Sequence, residues 1–260
     1  MAARHVDILL RTCDNVPCHS GGQRLVDVPR IELTLRSISS LLDSIREHTD
    51  NSHDVVDLII VDDSSSRESL AQMFSLVDSR GMVATHVPVI GRGNGDSIKT
   101  HYEWARDNSE DLIYFLEDDY MHDINMVREM IEFFKDCEGR PGMEELVLHP
   151  CDYPDRYHRE LYKSWILLGK YRHWRSILHT TSTSMIRIDT LIKHWDDYMI
   201  FTRYGKDPKV TEDNSINKIY RTVPCFSPMP TLSTHLQYPA TLSPYTDWKP
   251  LWAEHALGGE

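Results

Sequence analysis

Short apolar runs alternate with polar and amphipathic segments along the first half of the chain. Residues 5–12, "HVDILLRT", form a short, mostly apolar run with an Arg-Thr exit, and 55–66, "VVDLIIVDDSSS", end in acids and serines. Such short runs are typical of buried strands, and we expect three more at 82–89, 111–120 and 145–150.

Apolar residues at helical spacing follow the first, third and fourth of these strands. The first predicted helix has one apolar face, formed by Ile31, Leu35, Ile38, Leu42 and Ile45. A second follows "GRGNGDS" (91–97), with Asp96 or Ser97 as its N-cap, and a third has Asp123 as its N-cap. Strands and helices that alternate in this way predict a mostly parallel sheet with helices on both faces.

The second half of the chain is less regular. Residues 151–175 are dense in Tyr, Trp, Arg and His, and we interpret them as a long loop or lid. A strand is expected at 179–188, and helices at 189–200 and 211–220. The proline-rich tail from Pro224 is expected to wrap the surface in extended form.

Composition excludes several classes of protein. A net charge of −12 argues against a nucleic-acid or anionic-membrane partner held by broad electrostatics. No apolar run is long enough for a membrane span, and the first residues do not resemble a signal peptide, so we expect a cytoplasmic protein. The cysteines lack any CxxC spacing and are interpreted as reduced thiols: Cys13, Cys18, Cys137, Cys151 and Cys225.

Carboxylates follow two of the predicted strands at the point where each strand ends. They occur in "VDDSSS" (61–66) and "LEDDY" (116–120). In open parallel sheets ligands bind beyond the carboxyl ends of the strands, so these acids should share one edge. Glu117, Asp118 and Asp119 would repel one another unless a cation were present, and Mg²⁺ and Mn²⁺ prefer carboxylate oxygens. The alternative is a solvated strand end.

Two further segments have weaker chemical signals. Asp62 and Asp63 could accept hydrogen bonds from a nucleobase or a ribose, or could form an ordinary turn. "GRGNGDS" (91–97) could hold a diphosphate at a helix start, although it matches neither the Walker pattern nor GxGxxG.

Taken in order, "RTCDN", "VDDSSS", "GNGDS" and "LEDDY" resemble the GT-A glycosyltransferases, specifically family 2 of inverting enzymes. The resemblance covers roughly residues 5–125. It implies an α/β GT-A fold, Rossmann-like, with an irregular acceptor-side region towards the C-terminus. It also implies metal-dependent transfer of a sugar from a nucleotide-diphosphate donor, UDP-linked by preference, to a hydroxyl of a glycan or other acceptor, with inversion.

The same resemblance implies roles for individual residues. Thr12 and Asp63 would contact the base, and Arg92 would lie near the diphosphate or the base. Asp119 would bind Mn²⁺ or Mg²⁺. Glu117 stands where the family often has its first Asp, which leaves open whether Glu117 or Asp118 contacts the ribose. The donor-site residues implied by these segments also include Arg11, Asp62 and Asn94.

The catalytic base is sought in "TEDNSINKIY" (211–220), which resembles the family's Glu-Asp pair at a helix start. Asp213 is the candidate base, with Glu212 beside it; Asp152 and Asp155 are rivals, and Asp213 could instead cap the helix. His235 is a candidate metal ligand or else a packed histidine. The aromatic residues that could form an acceptor-sugar platform, or could instead be packed in the core, are Tyr153, Tyr157, Trp165, Tyr171 and Trp174.

We therefore expect one domain over residues 1–260, with a nucleotide-sugar half at about 1–125 and an acceptor half at about 126–260. Two alternatives stay open. One is a nucleotidyltransferase on a related fold, and the other is a catalytically silent module that binds a nucleotide sugar or a glycan.

Overall fold

The computed structural model describes residues 3–15, 25–158, 163–180 and 182–257. Its strands are β1 His5–Thr12, β2 Val55–Asp62, β3 Ala84–Pro88, β4 Leu112–Glu117, β5 Tyr120–His122, β6 Val147–Leu148, β7 Ile166–Leu168, β8 His173–Ser176, β9 Ser184–Arg187, β10 Cys225–Met229 and β11 Ser233–His235. Its helices are α1 Arg30–Thr49, α2 Arg67–Ser79, α3 Asn94–Asn108, α4 Met126–Cys137, α5 Asp155–His158, α6 Ile188–Lys193, α7 Trp195–Phe201, α8 Ile216–Thr222 and α9 Lys249–Glu254.

A nine-stranded sheet forms the centre, in the order β3-β2-β1-β4-β9-β6-β10-β8-β7. β1 pairs in parallel with β2 and β4, and β2 pairs in parallel with β3. β9 runs antiparallel to both β4 and β6, and β8 runs antiparallel to both β10 and β7. Only β8 and β9 therefore oppose the common direction, which confirms the predicted mostly parallel sheet.

Helices cover both faces of this sheet, as predicted. Because side chains alternate along a strand, Ile8 of β1 packs towards α1 and α4, whereas Leu9 packs towards α3 and α7. Both side chains are fully buried. This two-sided burial explains why these strands have apolar residues at successive positions and not only at alternate ones.

The strand predicted at 111–120 is shorter than expected. β4 ends at Glu117, Asp118 and Asp119 form a turn, and Tyr120–His122 continue as β5. β5 leaves the large sheet and pairs antiparallel with β11. The chain therefore turns at the acids instead of carrying them along an extended strand.

Two predicted helix caps are wrong. α3 begins at Asn94 with Gly93 as its N-cap, so Asp96 lies within the first turn, where its Oδ2 accepts from the Arg92 amide at 3.0 Å. Gly93 has a φ of 84°, a left-handed conformation that favours glycine. Asp123 precedes α4 by a turn, and its Oδ1 accepts from the Asn125 amide at 2.8 Å.

The second half departs further from the predictions. β7 and β8 form an antiparallel hairpin within the segment interpreted as a loop, of which 159–162 lie outside the described residues. The helix predicted at 189–200 is two helices, α6 and α7, and α8 begins later than expected. The tail does not simply wrap the surface, because β10 and β11 are both largely buried.

Pro228 is tolerated in the buried strand β10 because of where the pairing stops. β10 pairs with β6 only through Cys225 and Phe226, whereas the pairing with β8 continues to Met229. Beyond Phe226 one side of the strand has no ladder partner in the described structure, so the missing amide hydrogen of Pro228 costs little.

The cysteines that the structure describes, Cys13, Cys137, Cys151 and Cys225, are free thiols, and Cys18 lies outside the described residues. Among the described helices, none combines the length and the apolar composition that crossing a membrane requires.

Candidate functional site

A cleft of 1170 Å³ opens at the carboxyl ends of β1, β2 and β4. The described residues that line it come mainly from these strand ends, from the starts of α1 and α3, from residues 201–212, and from the end of β11 and the segment after it. Most of the predicted site residues lie on its wall: Arg11, Thr12, Asp63, Arg92, Asn94, Glu117, Asp118, Asp119 and His235. The cleft therefore lies at the edge of the sheet where the sequence predicted a site.

Asp62 lies behind the wall. Its Oδ1 accepts from the Thr12 hydroxyl at 2.8 Å, and its Oδ2 accepts from the Ser65 amide at 2.9 Å. Asp63 lines the cleft, and its Oδ2 accepts from the Gly93 amide at 2.7 Å. Asp62 thus shapes the turn after β2, while Asp63 joins that turn to the start of α3.

Arg11 connects two walls of the cleft. Its Nη1 donates to Oδ1 of Asn94 at 2.8 Å, and its Nη2 donates to Oε1 of Glu117. Arg11 is buried and Asn94 is exposed at the first turn of α3. The pair of contacts fixes the Glu117 carboxylate beside the N-terminus of that helix.

Asp118 is buried, and both of its carboxylate oxygens accept hydrogen bonds from its own chain. Its Oδ1 accepts from Nη2 of Arg30, and its Oδ2 accepts from the Thr34 hydroxyl at 2.9 Å and from the Cys13 amide at 3.3 Å. Burial raises the pKa of Asp118, although the nearby Arg30 charge opposes that shift.

Asp119 is placed by the two-stranded sheet. Its carbonyl oxygen accepts from the Leu236 amide at 2.9 Å, directly after β11, and its Oδ1 lies 3.3 Å from Nε2 of His235. Burial alone would raise the pKa of Asp119, but the charges of His235 and Arg30 outweigh it and lower that pKa.

His235 is held from its other side. The ring stacks on Tyr120, with centroids 4.3 Å apart, and its Nδ1 lies 3.2 Å from the Tyr153 hydroxyl. The imidazole is buried, and its Nε2 is left facing Asp119. Such a partner on one ring nitrogen is the usual way in which a protein orients a metal-binding histidine.

The donor set fits a divalent cation. One oxygen each of Glu117 and Asp119 and one nitrogen of His235 lie within 4.8 Å of one another. Oδ1 of Asp119 is buried and has no hydrogen-bond partner in the described structure. Two carboxylates and an imidazole suit Mn²⁺, and the carboxylates also suit Mg²⁺.

A second group with comparable spacing lies at the opposite edge of the sheet. His5, Asp7 and Asp57 also bring their ligand atoms within 4.8 Å of one another. There Nε2 of His5 already contacts Oδ2 of Asp57 at 2.7 Å, and none of the three lines the cleft among the residues described.

The structure separates the two acids proposed for the base. Glu212 lines the cleft and is half-buried, whereas the Asp213 side chain is 73% exposed and pairs with Arg221 at 2.6 Å. Burial, together with the charge of Glu117, raises the pKa of Glu212. Glu212 is therefore the acid of this pair that faces the site.

The rival acids Asp152 and Asp155 are occupied away from the cleft lining. Asp152 is fully buried, and it accepts from Arg175 and from the Tyr157 hydroxyl. Asp155 pairs with Arg156 at 3.1 Å. Their contacts are those of structural ion pairs.

The aromatic residues considered for an acceptor platform lie elsewhere in the described structure. Trp174 is buried against Phe133, with ring centroids 4.3 Å apart. Tyr153, Tyr157, Trp165 and Tyr171 are also absent from the described lining of the cleft. The aromatic side chains that do line it are Phe201, Tyr204 and Tyr238.

Close packing brings Phe201 and Tyr204 to the cleft. A Cβ on Gly95 would lie 2.2 Å from the carbonyl oxygen of Thr202, so only glycine permits this approach of α3 to the segment after α7. Sequence reasoning missed these residues because the contact joins segments that are distant in the chain.

Arg30 and Thr34 were missed as well, although a signal for them existed. A helix that follows a parallel strand starts at the sheet edge where that strand ends. The sequence could therefore have predicted that polar residues in the first turns of α1 lie near the end of β1.

No protein-family model matches this chain, and no curated protein matches it in sequence. Among solved structures it is similar to S. aureus TarS 1-349 in complex with UDP, with a TM-score of 0.51 and 14% identity over 85% of this chain and 59% of that one. It is also similar to S. aureus TarS, with a TM-score of 0.50 and 13% identity over 85% of this chain and 36% of that one.

The chain thus spans less than two thirds of these TarS chains. The likeness extends over most of this chain, and it confirms the predicted fold class: the protein has a GT-A-type α/β fold.

Proposed function

We propose that this protein is a metal-dependent glycosyltransferase. It transfers a sugar from a nucleotide-diphosphate donor, which we take to be UDP-linked, to a hydroxyl group of a glycan or another acceptor. One observation supports this most strongly: a single cleft holds the cation-compatible set Glu117, Asp119 and His235 and also the half-buried carboxylate Glu212. The proposed reaction needs a cation to stabilise the leaving diphosphate and a carboxylate to deprotonate the acceptor hydroxyl.

In this proposal the donor lies on the side formed by about residues 1–125. Asp63 and Thr12 contact the base, and Arg92 and Asn94 lie near the diphosphate at the start of α3. Because Asp118 is already occupied by Arg30, Thr34 and Cys13, a ribose hydroxyl has to share or replace one of these contacts. About residues 126–260 then form the acceptor side.

Asp119 and His235 would hold Mn²⁺ or Mg²⁺, with Glu117 as the third ligand of the described set. When bound, the cation supplies positive charge that stabilises the departing nucleoside diphosphate. The chain itself orients these ligands through Arg11 on Glu117 and Tyr153 on His235.

We assign the catalytic base to Glu212 rather than to Asp213, because the Asp213 carboxylate points to solvent. Glu212 takes the proton of the acceptor hydroxyl as the acceptor oxygen attacks the anomeric carbon from the face opposite the diphosphate. The raised pKa of Glu212 makes its carboxylate a stronger base than an ordinary glutamate. Attack from that face inverts the configuration at the anomeric carbon.

The test is a thermal-shift panel of UDP, GDP, CMP and TDP sugars, each with and without Mn²⁺, followed by product analysis. A ligand that binds only the folded state raises the melting temperature by mass action. We expect a metal-dependent shift with the UDP sugars and release of UDP on turnover. Asp119→Asn should lose this metal-dependent shift. The matched control is Asp7→Asn, which alters an acid outside the described cleft lining and should keep the shift.

Other outcomes identify the alternatives. Release of pyrophosphate or of a nucleoside monophosphate would show a nucleotidyltransferase. Metal-dependent donor binding without any turnover would show a silent binding module. No shift with any nucleotide sugar at millimolar concentration would contradict the proposal.

A further inference from the structure

Arg30 places a positive charge inside the acidic part of the cleft. It is the first residue of α1, follows Pro29, and lines the cleft. Its Nη2 donates to Oδ1 of Asp118, and its Nη1 lies 3.7 Å from Oδ2 of Asp119. One guanidinium therefore faces both of the adjacent buried carboxylates.

This arrangement neutralises a site that would otherwise be strongly acidic. Glu117 is paired with Arg11, so Arg30 is the cation of the described structure that faces Asp118 and Asp119 together, with His235 on the other side of Asp119. The Arg30 side chain is 20% exposed, and those of Asp118 and Asp119 are 5% and 10% exposed. Charges so poorly solvated need a partner of opposite sign.

A divalent cation on Asp119 would lie close to that guanidinium. A bound metal lies about 2 Å from a carboxylate oxygen, and Arg30 already lies 3.7 Å from the same carboxylate. Two cations at this separation repel each other unless an anion lies between them. A diphosphate has the charge and the acceptor oxygens to interact with both.

We propose that Arg30 is a resident counter-charge that couples cation binding to nucleotide binding. Without nucleotide, Arg30 neutralises Asp118 and Asp119 and weakens the binding of a free divalent cation. With a nucleoside diphosphate in the cleft, Arg30 donates to the phosphate oxygens, and the cation binds tightly to the acids. The inference rests on the proposed function, because that function places the cation at Asp119.

The experiment measures Mn²⁺ binding by electron paramagnetic resonance and calorimetry, first alone and then with saturating UDP. We compare the wild type with Arg30→Gln, which removes the charge. Removing a competing charge should tighten the binding of Mn²⁺ alone by about tenfold, and the further tightening caused by UDP should shrink by a similar factor.

Two further variants test whether the effect comes from the charge of Arg30 and whether any arginine substitution on α1 would produce it. Arg30→Lys keeps the positive charge, so its Mn²⁺ affinity should stay close to that of the wild type. Arg36→Gln is the matched control, since Arg36 lies on the same helix and contacts Glu32 and the carbonyl oxygen of Trp252. Even if Arg30→Gln is less stable, Mn²⁺ alone should raise its melting temperature more than it raises that of the wild type.

Two negative results have different meanings. If Mn²⁺ binds the wild type, but Arg30→Gln binds Mn²⁺ alone equally or more weakly, this inference is overturned and the proposed function stands. If Mn²⁺ binds neither protein, with or without UDP, then the proposed function is overturned and this inference falls with it.

Discussion

Buried acids lie at both ends of the parallel strands of the large sheet, Asp54 at the amino ends and Asp119 at the carboxyl ends, and their partners differ. At the amino ends of the strands, Asp54 accepts hydrogen bonds from the Arg4 amide at 2.7 Å and from Nζ of Lys135 at 2.8 Å. It also lies 2.9 Å from Nε2 of His48. We call these four residues the Asp54 cluster. At the carboxyl edge, Asp119 of the cleft has a buried oxygen without any hydrogen bond in the described structure.

The difference separates an acid that stabilises the fold from one that is available to a ligand. In the Asp54 cluster both carboxylate oxygens have donors from three segments of the chain, and Asp54 is buried away from the described lining of the cleft. Asp119 lies against an open cleft and shares Arg30 with another acid. With Glu117 and His235 it forms a set of ligand atoms that could hold a metal ion.

The largest effect should come from Asp119→Asn. We expect sugar transfer to fall about 1000-fold, because the variant removes a ligand charge where the reaction develops negative charge. The free energy of unfolding should change by less than about 1 kcal/mol, because the lost ion pair with His235 is offset by relief of the repulsion between Asp119 and Asp118, and Arg30 keeps Asp118 as its partner. Steady-state kinetics and urea denaturation measure the two quantities. Full activity in this variant would make the metal assignment wrong.

Asp54→Asn should show the reverse behaviour. It removes the nearer and more deeply buried of the two carboxylates that pair with Lys135, the other being Glu132 at 3.5 Å, so the free energy of unfolding should drop by about 3 kcal/mol. Activity per folded molecule should stay within about twofold of the wild type, because Asp54 is remote from the described cleft lining. Urea denaturation checks the first value. An unchanged unfolding midpoint would remove the contrast between the two acid groups.

Glu212→Gln should lower kcat about 100-fold with little change in the donor KM, as expected for loss of a general base. The wild-type profile of kcat/KM should rise with pH through a pKa above the ordinary glutamate value of about 4.3, because burial and Glu117 raise this pKa. That rising limb should vanish in the variant.

Asp213→Asn is the matched control for Glu212→Gln, since its carboxylate is exposed and pairs with Arg221. It should change kcat by less than about twofold. A large loss in Asp213→Asn together with normal activity in Glu212→Gln would return the base to Asp213.

The smallest effect is expected at the group formed by His5, Asp7 and Asp57, where Nε2 of His5 contacts Oδ2 of Asp57. The hydrogen bond to Asp57 raises the pKa of His5, so the pair stabilises the fold below about pH 6.5 and loses this contribution as pH rises through the folded pKa. Asp57→Asn should cost under about 1 kcal/mol at pH 5, because both side chains are substantially exposed. At pH 8 the two proteins should unfold alike; an equal loss at both values would exclude a charged His5.

The parallel half of the fold was predictable because its signals are local. β1 and β2 are short runs rich in apolar residues, and a parallel sheet brings their polar exits to one edge whatever the rest of the chain does. The prediction that Asp63, Glu117 and Asp119 share one cleft follows from this rule alone. Their roles remain predictions for the experiments above.

The parts that sequence reasoning missed depend on pairing between distant segments. Nothing local indicates that Tyr120–His122 leave the main sheet, because their partner is β11. Pro228 was interpreted as a sign of a surface tail, whereas it occupies a stretch of β10 with one described neighbour. Glu212 and Asp213 are adjacent, so their different orientations depend on the turn before α8 and could not be read from composition.

The pairing of β5 with β11 also has a consequence for how the protein is made. Synthesis runs from the N-terminus, so Glu117 and Asp119 leave the ribosome long before His235. Until β11 is made and pairs with β5, the nascent chain has these carboxylates without the imidazole. Contacts between distant segments also form late in folding. The cation-compatible set is therefore completed only after β11 is made, and its assembly indicates that β11 has paired with β5.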